Sequence, residues 1–352
     1  MVYLTNTLQK ILRKTCFIYI MSQVSINSTL SNTKEIKFMD FCAGIGGGRL
    51  GLEQCGMKCL AFSEINKNSE RTYRLFFGQE EKNFGDLMKI DSSLLPDFDL
   101  MIGGFPCQTF SVMGQRKGFD DDRGQIIYGL ISILEAKYIK YFILENVKGL
   151  VNHDNSNTLK IILRDLDGAG YSVYWKVLNS LDYGVPQSRE RVYLVGIRKD
   201  LDNNTFRFPT PIEHTQIEDY LIDDTELTLF EKETTFATFQ KYLGNKYNQG
   251  RFTVESLLKN NFDVIDTRQS DLRIYKNKTP TLRTGRHGIL YVKNGKFRKL
   301  RGVEALLLQG FPKELAIQTR QKVSEGDLLS QAGNAMTVNT IQAIGEALLE
   351  SI

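Results

Sequence analysis

Between Ile36 and Arg198, short apolar runs alternate with stretches of helical period, and this alternation constrains the fold more than any other feature of the chain. Ile36-Lys-Phe-Met-Asp40 reads as a first strand, and a helix begins over Gly47 to Glu53. Cys59–Ser63 reads as a second strand, followed by a helical stretch from Asn66 to Phe76. Strand signals recur at Asp99–Phe105, Tyr141–Leu144 and Val192–Ile197, with a helix around Ile126–Ala136. That order predicts an α/β fold, a doubly wound parallel sheet with helices on both faces. After Arg198 the rhythm breaks. Residues 199–300 are polar and rich in Asn, Thr and Lys, which predicts a second, smaller, irregular domain, and 352 residues leave room for one. Helical period returns over Gly302–Gln309 and Val338–Glu350.

Charge divides the second half of the chain. Residues 211–235 carry eight Asp and Glu against Lys232 alone, whereas 241–301 carry fifteen Lys and Arg against four acids. The basic block suits either a polyanionic partner or a solvated surface. Five cysteines (Cys16, Cys42, Cys55, Cys59, Cys107) without paired spacing argue for a reducing, cytoplasmic setting. Three histidines (His153, His214, His287), none beside a cysteine pair, give no zinc-site pattern, and no metal is expected. No apolar segment is long enough to span a membrane. Residues 1–30 are expected to be an N-terminal extension, with Met21 an alternative start. The run Cys16–Ile20 is too short for a signal peptide and is followed by no small-residue cleavage site.

Four segments carry chemistry. The turn after the first strand, Asp40-Phe-Cys-Ala-Gly-Ile-Gly-Gly-Gly-Arg-Leu-Gly51, holds clustered glycines that allow close backbone approach to a ligand. Gly46, Gly48 and Gly51 match G-x-G-x-x-G spacing, and Glu64 after the second strand is placed for ribose hydroxyls. The same turn also reads as tight strand–helix packing. Pro106–Cys107 closes the third strand, where open α/β sheets place ligands, although a thiol there also reads as packed core. Glu145-Asn146 ends a strand that should be buried, and a buried carboxylate is a site candidate. Gln187-Ser-Arg189-Glu-Arg191 projects two guanidiniums to one side of an extended segment, for a ligand or for edge pairing with acids.

Together these segments resemble the DNA cytosine-5 methyltransferases, in the family's order, over roughly residues 36–346. The resemblance implies that Asp40, Cys42, Ala43, Gly44, Gly46, Gly47, Glu64, Ile65, Asp86, Leu87, Pro106, Asn334 and Ala335 bind S-adenosyl-L-methionine, released as S-adenosyl-L-homocysteine. Cys42 stands where the family usually has Phe, and Ala335 where some members have Ser. Gly104-Phe-Pro-Cys107-Gln resembles the nucleophile motif, Glu145-Asn146-Val147 the ENV motif, and Gln187-x-Arg189-x-Arg191 the QxRxR motif. In the implied chemistry Cys107 adds to cytosine C6, Pro106 shapes the turn and Glu145 donates to N3. Arg189 orients the base and its phosphate, while Arg191 supports Glu145 and the carbonyl oxygen; Asn146 completes the catalytic set.

The resemblance also implies double-stranded DNA as partner, with the target base flipped out of the stack. Ser111, Met113, Gln115, Arg116, Lys117 and Arg123 fall in a segment like the family's catalytic loop, Met113 filling the gap left by the base. Arg268, Arg273, Thr281, Arg283 and Arg286 are the expected contacts in the recognition domain. Expected boundaries are 31–215 plus 326–352 for the catalytic domain and 216–325 for recognition and hinge. The expected setting is a monomer in a restriction–modification system, with a cognate endonuclease as functional partner and a place near the nucleoid. Three rival readings remain at this level: an RNA cytosine methyltransferase, a nicotinamide oxidoreductase, and an inactive DNA-binding relative.

Overall fold

The computed structural model describes residues 35–105, 126–222, 233–285 and 287–352. The expected sites Pro106, Cys107, Ser111, Met113, Gln115, Arg116, Lys117, Arg123 and Arg286, and the extension 1–30, lie outside them. In chain order the first strands are β1 (Lys37–Phe41), β2 (Lys58–Ser63), β3 (Leu100–Gly104), β4 (Tyr141–Val147), β5 (Tyr171–Asn179), the two-residue β6 (Gln187–Ser188) and β7 (Glu190–Arg198). All but β6 form one sheet of order β2-β1-β3-β4-β7-β5. Neighbours from β2 to β4 are parallel, and β7 runs antiparallel to both β4 and β5.

Alternation along each strand sends side chains to two separate cores. Met39, Phe41, Met101, Phe142 and Leu194 pack beneath helices Ile126–Lys137 and Asn157–Gly168. Phe38, Ile102, Ile143 and Val195 face Leu52 of helix Gly47–Gln54 and Ile341, Ile344 and Leu348 of helix Val338–Leu349. The sheet is therefore doubly wound, as the alternation predicts. Because β1 leads outward to β2 and the chain then returns to β3 on its other side, the strand order reverses between β1 and β3. In such sheets the crevice at the carboxyl ends of those two strands is where ligands bind.

The second unit is more regular than its composition suggests. Strands β8 (Val264–Asp266), β9 (Arg273–Tyr275), β11 (Ile289–Lys293) and β12 (Lys296–Lys299) form an antiparallel sheet of order β12-β11-β8-β9. In the chain, β10 (Thr279–Pro280) falls between β9 and β11. Three- to five-residue strands set among polar turns carry too short an alternation to read from sequence. One side of this sheet is filled by Phe239, Leu243, Leu257, Ile265, Leu290 and Phe297. Val264, Ile289 and Tyr291 pack instead with Leu306, Ala332, Ile45 and Leu50, so a single core runs from the second unit into the first. The two are also stitched by β10, which pairs in parallel with β6.

Candidate active site

At the end of β1 the chain turns through Cys42, a non-glycine residue with φ 52, and Gly44, with φ 57. Among the described residues, a Cβ at Gly44 would meet nothing within 4 Å. Its neighbours are crowded. A Cβ at Gly46 would strike the Phe77 ring, one at Gly47 the Met336 carbonyl oxygen, one at Gly48 the Ile102 Cδ1 at 2.9 Å, and one at Gly51 the Val338 carbonyl oxygen at 2.7 Å. The three glycines that match G-x-G-x-x-G are thus each required by close packing, whereas Gly44, the candidate cradle, is unpacked among the described residues.

Glu64, just past β2, closes that cradle. Its Oε2 accepts from the Gly44 N–H and its Oε1 from the Asn66 N–H, both at 2.7 Å. Burial raises the Glu64 carboxyl above its ordinary range, while these N–H groups and that of Ile65 work against the rise. Ile65, 68% exposed, stands beside it as an uncovered apolar surface. Asp86 lies on the opposite rim, its Oδ1 accepting from Met88 N at 3.1 Å and its Oδ2 paired with Lys89 at 3.2 Å; Leu87 behind it is buried.

Sequence reasoning missed the residue that joins these rims. Asn83 accepts from the N–H groups of Glu64 (3.1 Å) and Gly85 (2.9 Å), and donates to the Glu64 carbonyl (3.0 Å). An Asn in a polar turn gives no sequence signal of such double duty. Beneath the loop Asp40 is buried, and among the described residues neither carboxylate oxygen has a hydrogen-bond partner of good geometry. Burial pushes its carboxyl up to about 8 against the opposing charge of Arg49. Burial likewise pushes the Cys42 thiol up to about 12, which makes it a packing residue and not a nucleophile. Ala43 is buried, its N–H on the Ser63 carbonyl at 3.1 Å.

The second cluster lies at the ends of β3 and β4. Gly104 pairs with Glu145, and the Phe105 N–H reaches the Glu145 carbonyl at 3.4 Å. Asn146, 2% exposed, donates from Nδ2 to the Phe105 carbonyl at 2.8 Å and accepts from the Val147 N–H at 2.8 Å. Phe105 is the residue before Pro106–Cys107. Across the sheet Arg191 places Nε 3.0 Å from Glu145 Oε1, with both side chains nearly buried. The approach is an ion pair without hydrogen-bond alignment, so Oε1 keeps a lone pair uncommitted.

Arg189 does not join this cluster through its terminal nitrogens. Its Nη1 donates to the Leu282 (3.3 Å) and Gly333 (3.1 Å) carbonyls and its Nη2 to the Ala335 carbonyl (3.0 Å), while Nε has no partner among the described residues. Burial, with the nearby Arg191 charge, pushes this guanidinium down to about 9. Ala335 is buried, and the exposed Asn334 between the two carbonyls accepts from the Thr284 hydroxyl.

The expected DNA contacts separate into two kinds. Arg268 is turned inward: its side chain is 3% exposed, forked onto Asp266 at 2.7 and 2.8 Å, with Nη1 on the Thr281 carbonyl at 2.8 Å. The buried Asp holds it there by a charge-assisted fork. Thr281 spends its hydroxyl on the Ser188 carbonyl at 2.7 Å. Arg273 and Arg283 are exposed, Arg273 in a surface pair with Asp271 at 3.2 Å. Among the described residues no group of three or more His, Cys, Asp or Glu could hold a metal ion, and no helix is long and apolar enough to cross a membrane.

The chain is 34% identical over 319 residues to type II methyltransferase M.HhaI of Haemophilus parahaemolyticus, spanning 88% of this chain and 93% of that one. It is 37% identical over 322 residues to type II methyltransferase M.HaeII of Haemophilus aegyptius, spanning 91% and 94%. Among solved structures it superposes on the Entamoeba histolytica methyltransferase EhMeth with a TM-score of 0.64, at 19% identity over 90% of this chain and 99% of that one. A mutant of Spodoptera frugiperda DNMT2 superposes with a TM-score of 0.63, at 20% identity over 90% and 100%. These two likenesses bear on the fold alone. Residues 36–350 match the model of the C-5 cytosine-specific DNA methylases, which covers both clusters and the second unit, and the chain belongs to that family of AdoMet-dependent enzymes that methylate C5 of cytosine in DNA.

Proposed function

We propose that this chain methylates one cytosine within a specific double-stranded DNA sequence, with Cys107 as the nucleophile. The observation that carries the reading is the fixation of Phe105 by Glu145 and Asn146, which brings the chain entering Pro106–Cys107 to the Glu145–Arg191 pair. Cytosine C5 attacks a methyl group poorly until a nucleophile adds to C6. The Cys107 thiolate forms the S–C6 bond, and the 5,6 double bond becomes an enamine whose C5 carries the electron pair. Glu145 relays a proton taken from water to N3 as charge develops there, and Arg191 holds the carboxyl in place and faces the base carbonyl oxygen. Bound S-adenosyl-L-methionine supplies an electrophilic methyl sulfonium. C5 takes that methyl as its bond to the sulfonium sulfur breaks, leaving S-adenosyl-L-homocysteine. The C5 proton is then lost to water, the S–C6 bond breaks to expel the Cys107 thiolate, and N3 returns its proton through Glu145 as the ring regains its conjugation.

The cradle fits that cofactor. Gly44 offers backbone to an uncovered space, Glu64 offers a fixed carboxylate to ribose hydroxyls, Ile65 an apolar face to adenine, and Asp86 an acceptor to its amino group. Ala43, Leu87, Asn334 and Ala335 complete the walls, and no metal is required. Since a duplex hides C6, the base is flipped, with Met113 filling the gap and Ser111, Gln115, Arg116, Lys117 and Arg123 on the backbone. The catalytic unit is 31–215 plus 326–352, and recognition lies in 216–325 through Arg273, Arg283 and Arg286. The enzyme works as a cytoplasmic monomer at the nucleoid and protects DNA from a cognate endonuclease. Cys107→Ser is expected to abolish methyl transfer while binding AdoMet as the wild type does, and 5-fluorocytosine DNA to trap the wild type covalently. Methylation by the serine variant at the wild-type rate overturns the reading.

A further inference from the structure

Three successive residues of the QxRxR segment carry the second unit. Gln187, fully buried, accepts from the Leu282 N–H at 3.1 Å and donates to the Leu308 carbonyl at 2.8 Å. Ser188 gives its carbonyl to the Thr281 hydroxyl. Arg189 then reaches in two directions: to the Leu282 carbonyl on the second unit, and to the Gly333 and Ala335 carbonyls at the end of helix Glu325–Asn334. Helix ends leave carbonyls without intrahelical partners and concentrate partial negative charge, so a buried cation is stable there. Among the described residues no carboxylate hydrogen-bonds this guanidinium, and three of its terminal N–H groups are given to carbonyls.

What those carbonyls bracket gives the contact its consequence. Asn334 lies between them and is gripped by the Thr284 hydroxyl. Met336, the next residue but one, presses its carbonyl on Gly47 of the glycine turn, and its Cε lies 3.3 Å from the Cβ position of Gly104 on β3. The backbone of Arg283–Thr284 approaches so closely that a Cβ on Gly333 would meet it at 2.7 Å. One guanidinium therefore fastens a strap of the second unit to the short segment that abuts both the glycine turn and the strand leading to Pro106–Cys107.

We propose that Arg189 is a positioning residue for the cofactor site, and that the strap 281–284 of the second unit supports cofactor binding before any DNA arrives. This rests on the reading of Asn334 and Ala335 as a cofactor wall. Lysine cannot replace the guanidinium, since a single ammonium cannot span carbonyls served by two separate nitrogens.

The test is AdoMet affinity of the full chain by calorimetry, without DNA, with the thermal midpoint recorded in parallel. Arg189→Lys is expected to lose about tenfold in affinity while Arg191→Lys, at the Glu145 cluster, stays within about twofold. A folded Arg189→Lys that binds AdoMet as the wild type does, and loses only methylation rate or DNA affinity, overturns the proposal. Should Arg189→Lys not fold, Thr284→Val removes the exposed grip on Asn334; unchanged affinity there likewise overturns it. Asn334→Ala separates the two readings. If it leaves affinity intact, the cofactor wall is wrongly placed; if it weakens binding and Arg189→Lys does not, the wall stands and the clamp falls.

Discussion

Asn146 Nδ2 donates to the Phe105 carbonyl at 2.8 Å, and this bond fixes the last residue before Pro106–Cys107 to the strand that bears Glu145. Its Oδ1 is engaged with the Val147 N–H, so the amide cannot turn over without losing both contacts. Asn146→Ala is expected to destabilise the protein by about 1–3 kcal/mol, the cost of leaving a buried carbonyl unmet. It is also expected to lower kcat more than it raises either KM. Steady-state kinetics beside a denaturant titration check both; a variant with normal kcat refutes the positioning role.

The glycine turn gives opposite expectations at two positions three residues apart. Gly47→Ala drives a methyl into the Met336 carbonyl and is expected to destabilise by about 1–3 kcal/mol. Gly44→Ala meets no atom of the described residues, yet its φ of 57 costs about 1 kcal/mol, and its methyl enters the cradle. Unfolding midpoints and AdoMet affinity should therefore separate, the first variant losing mainly stability and the second mainly affinity. Equal loss of both by both variants would sink the distinction.

Asn83→Ala removes the acceptor shared by the Glu64 and Gly85 N–H groups. The two rims of the cradle then lose their common fixed point, and AdoMet binding is expected to weaken about tenfold. Asn83→Asp keeps that acceptor and gives up only the donor bond to the Glu64 carbonyl. It should recover part of the affinity, and equal affinities for the two variants would show that the acceptor is irrelevant.

Asp40 sets a pH dependence. Its carboxyl, ordinarily near 3.8, is pushed up to about 8 by burial, so the folded protein holds a proton that the unfolded chain has released between those values. Its contribution to stability is therefore complete at low pH and is lost as pH rises through about 8. Asp40→Asn should flatten the fall in melting temperature across that window and be relatively most stabilising at its alkaline end. A pH profile parallel to wild type would show that Asp40 does not titrate there.

Arg268 and its exposed neighbours should part company in DNA binding. Arg268→Met leaves Asp266 buried without its partner and is expected to destabilise by about 3–5 kcal/mol. Arg273→Ala and Arg283→Ala should leave stability nearly unchanged, each reducing the salt slope of DNA binding by about 1. Filter binding across a salt series decides this; a wild-type slope in both alanine variants removes them from the interface.

Much of the site could be read from the chain because its strongest signals are conflicts with ordinary packing. A carboxylate at the end of an apolar strand, as at Glu145, needs a reason; the family resemblance implies Arg191 as its support, and the two lie 3.0 Å apart. Spacing is ambiguous where two physical causes produce one pattern. Gly46, Gly48 and Gly51 match a ligand-binding motif, and Phe77, Ile102 and Val338 also leave no room for a Cβ there. Charge is ambiguous in the same way at Arg268, two residues after the acid it pairs with. Asn83 and the role of Arg189 depend on segments far apart in the chain, and no local pattern reports such meetings. The strand Tyr171–Asn179 was illegible for a simpler reason: as a sheet edge it is half-exposed, and its apolar alternation is broken by Trp175 and Lys176.

Helix Val338–Leu349 packs against helix Gly47–Gln54, with the Val338 carbonyl against Gly51 and Cys55 reaching the Gln342 carbonyl from 287 residues away. On the ribosome the glycine turn and its sheet emerge before the second unit, but the helix that seats them emerges only after it. The nascent first unit therefore waits through synthesis of the whole second unit with one face of its sheet uncovered, exposed to aggregation and open to chaperones. Methylation competence arrives in one step, after the second unit has already been made.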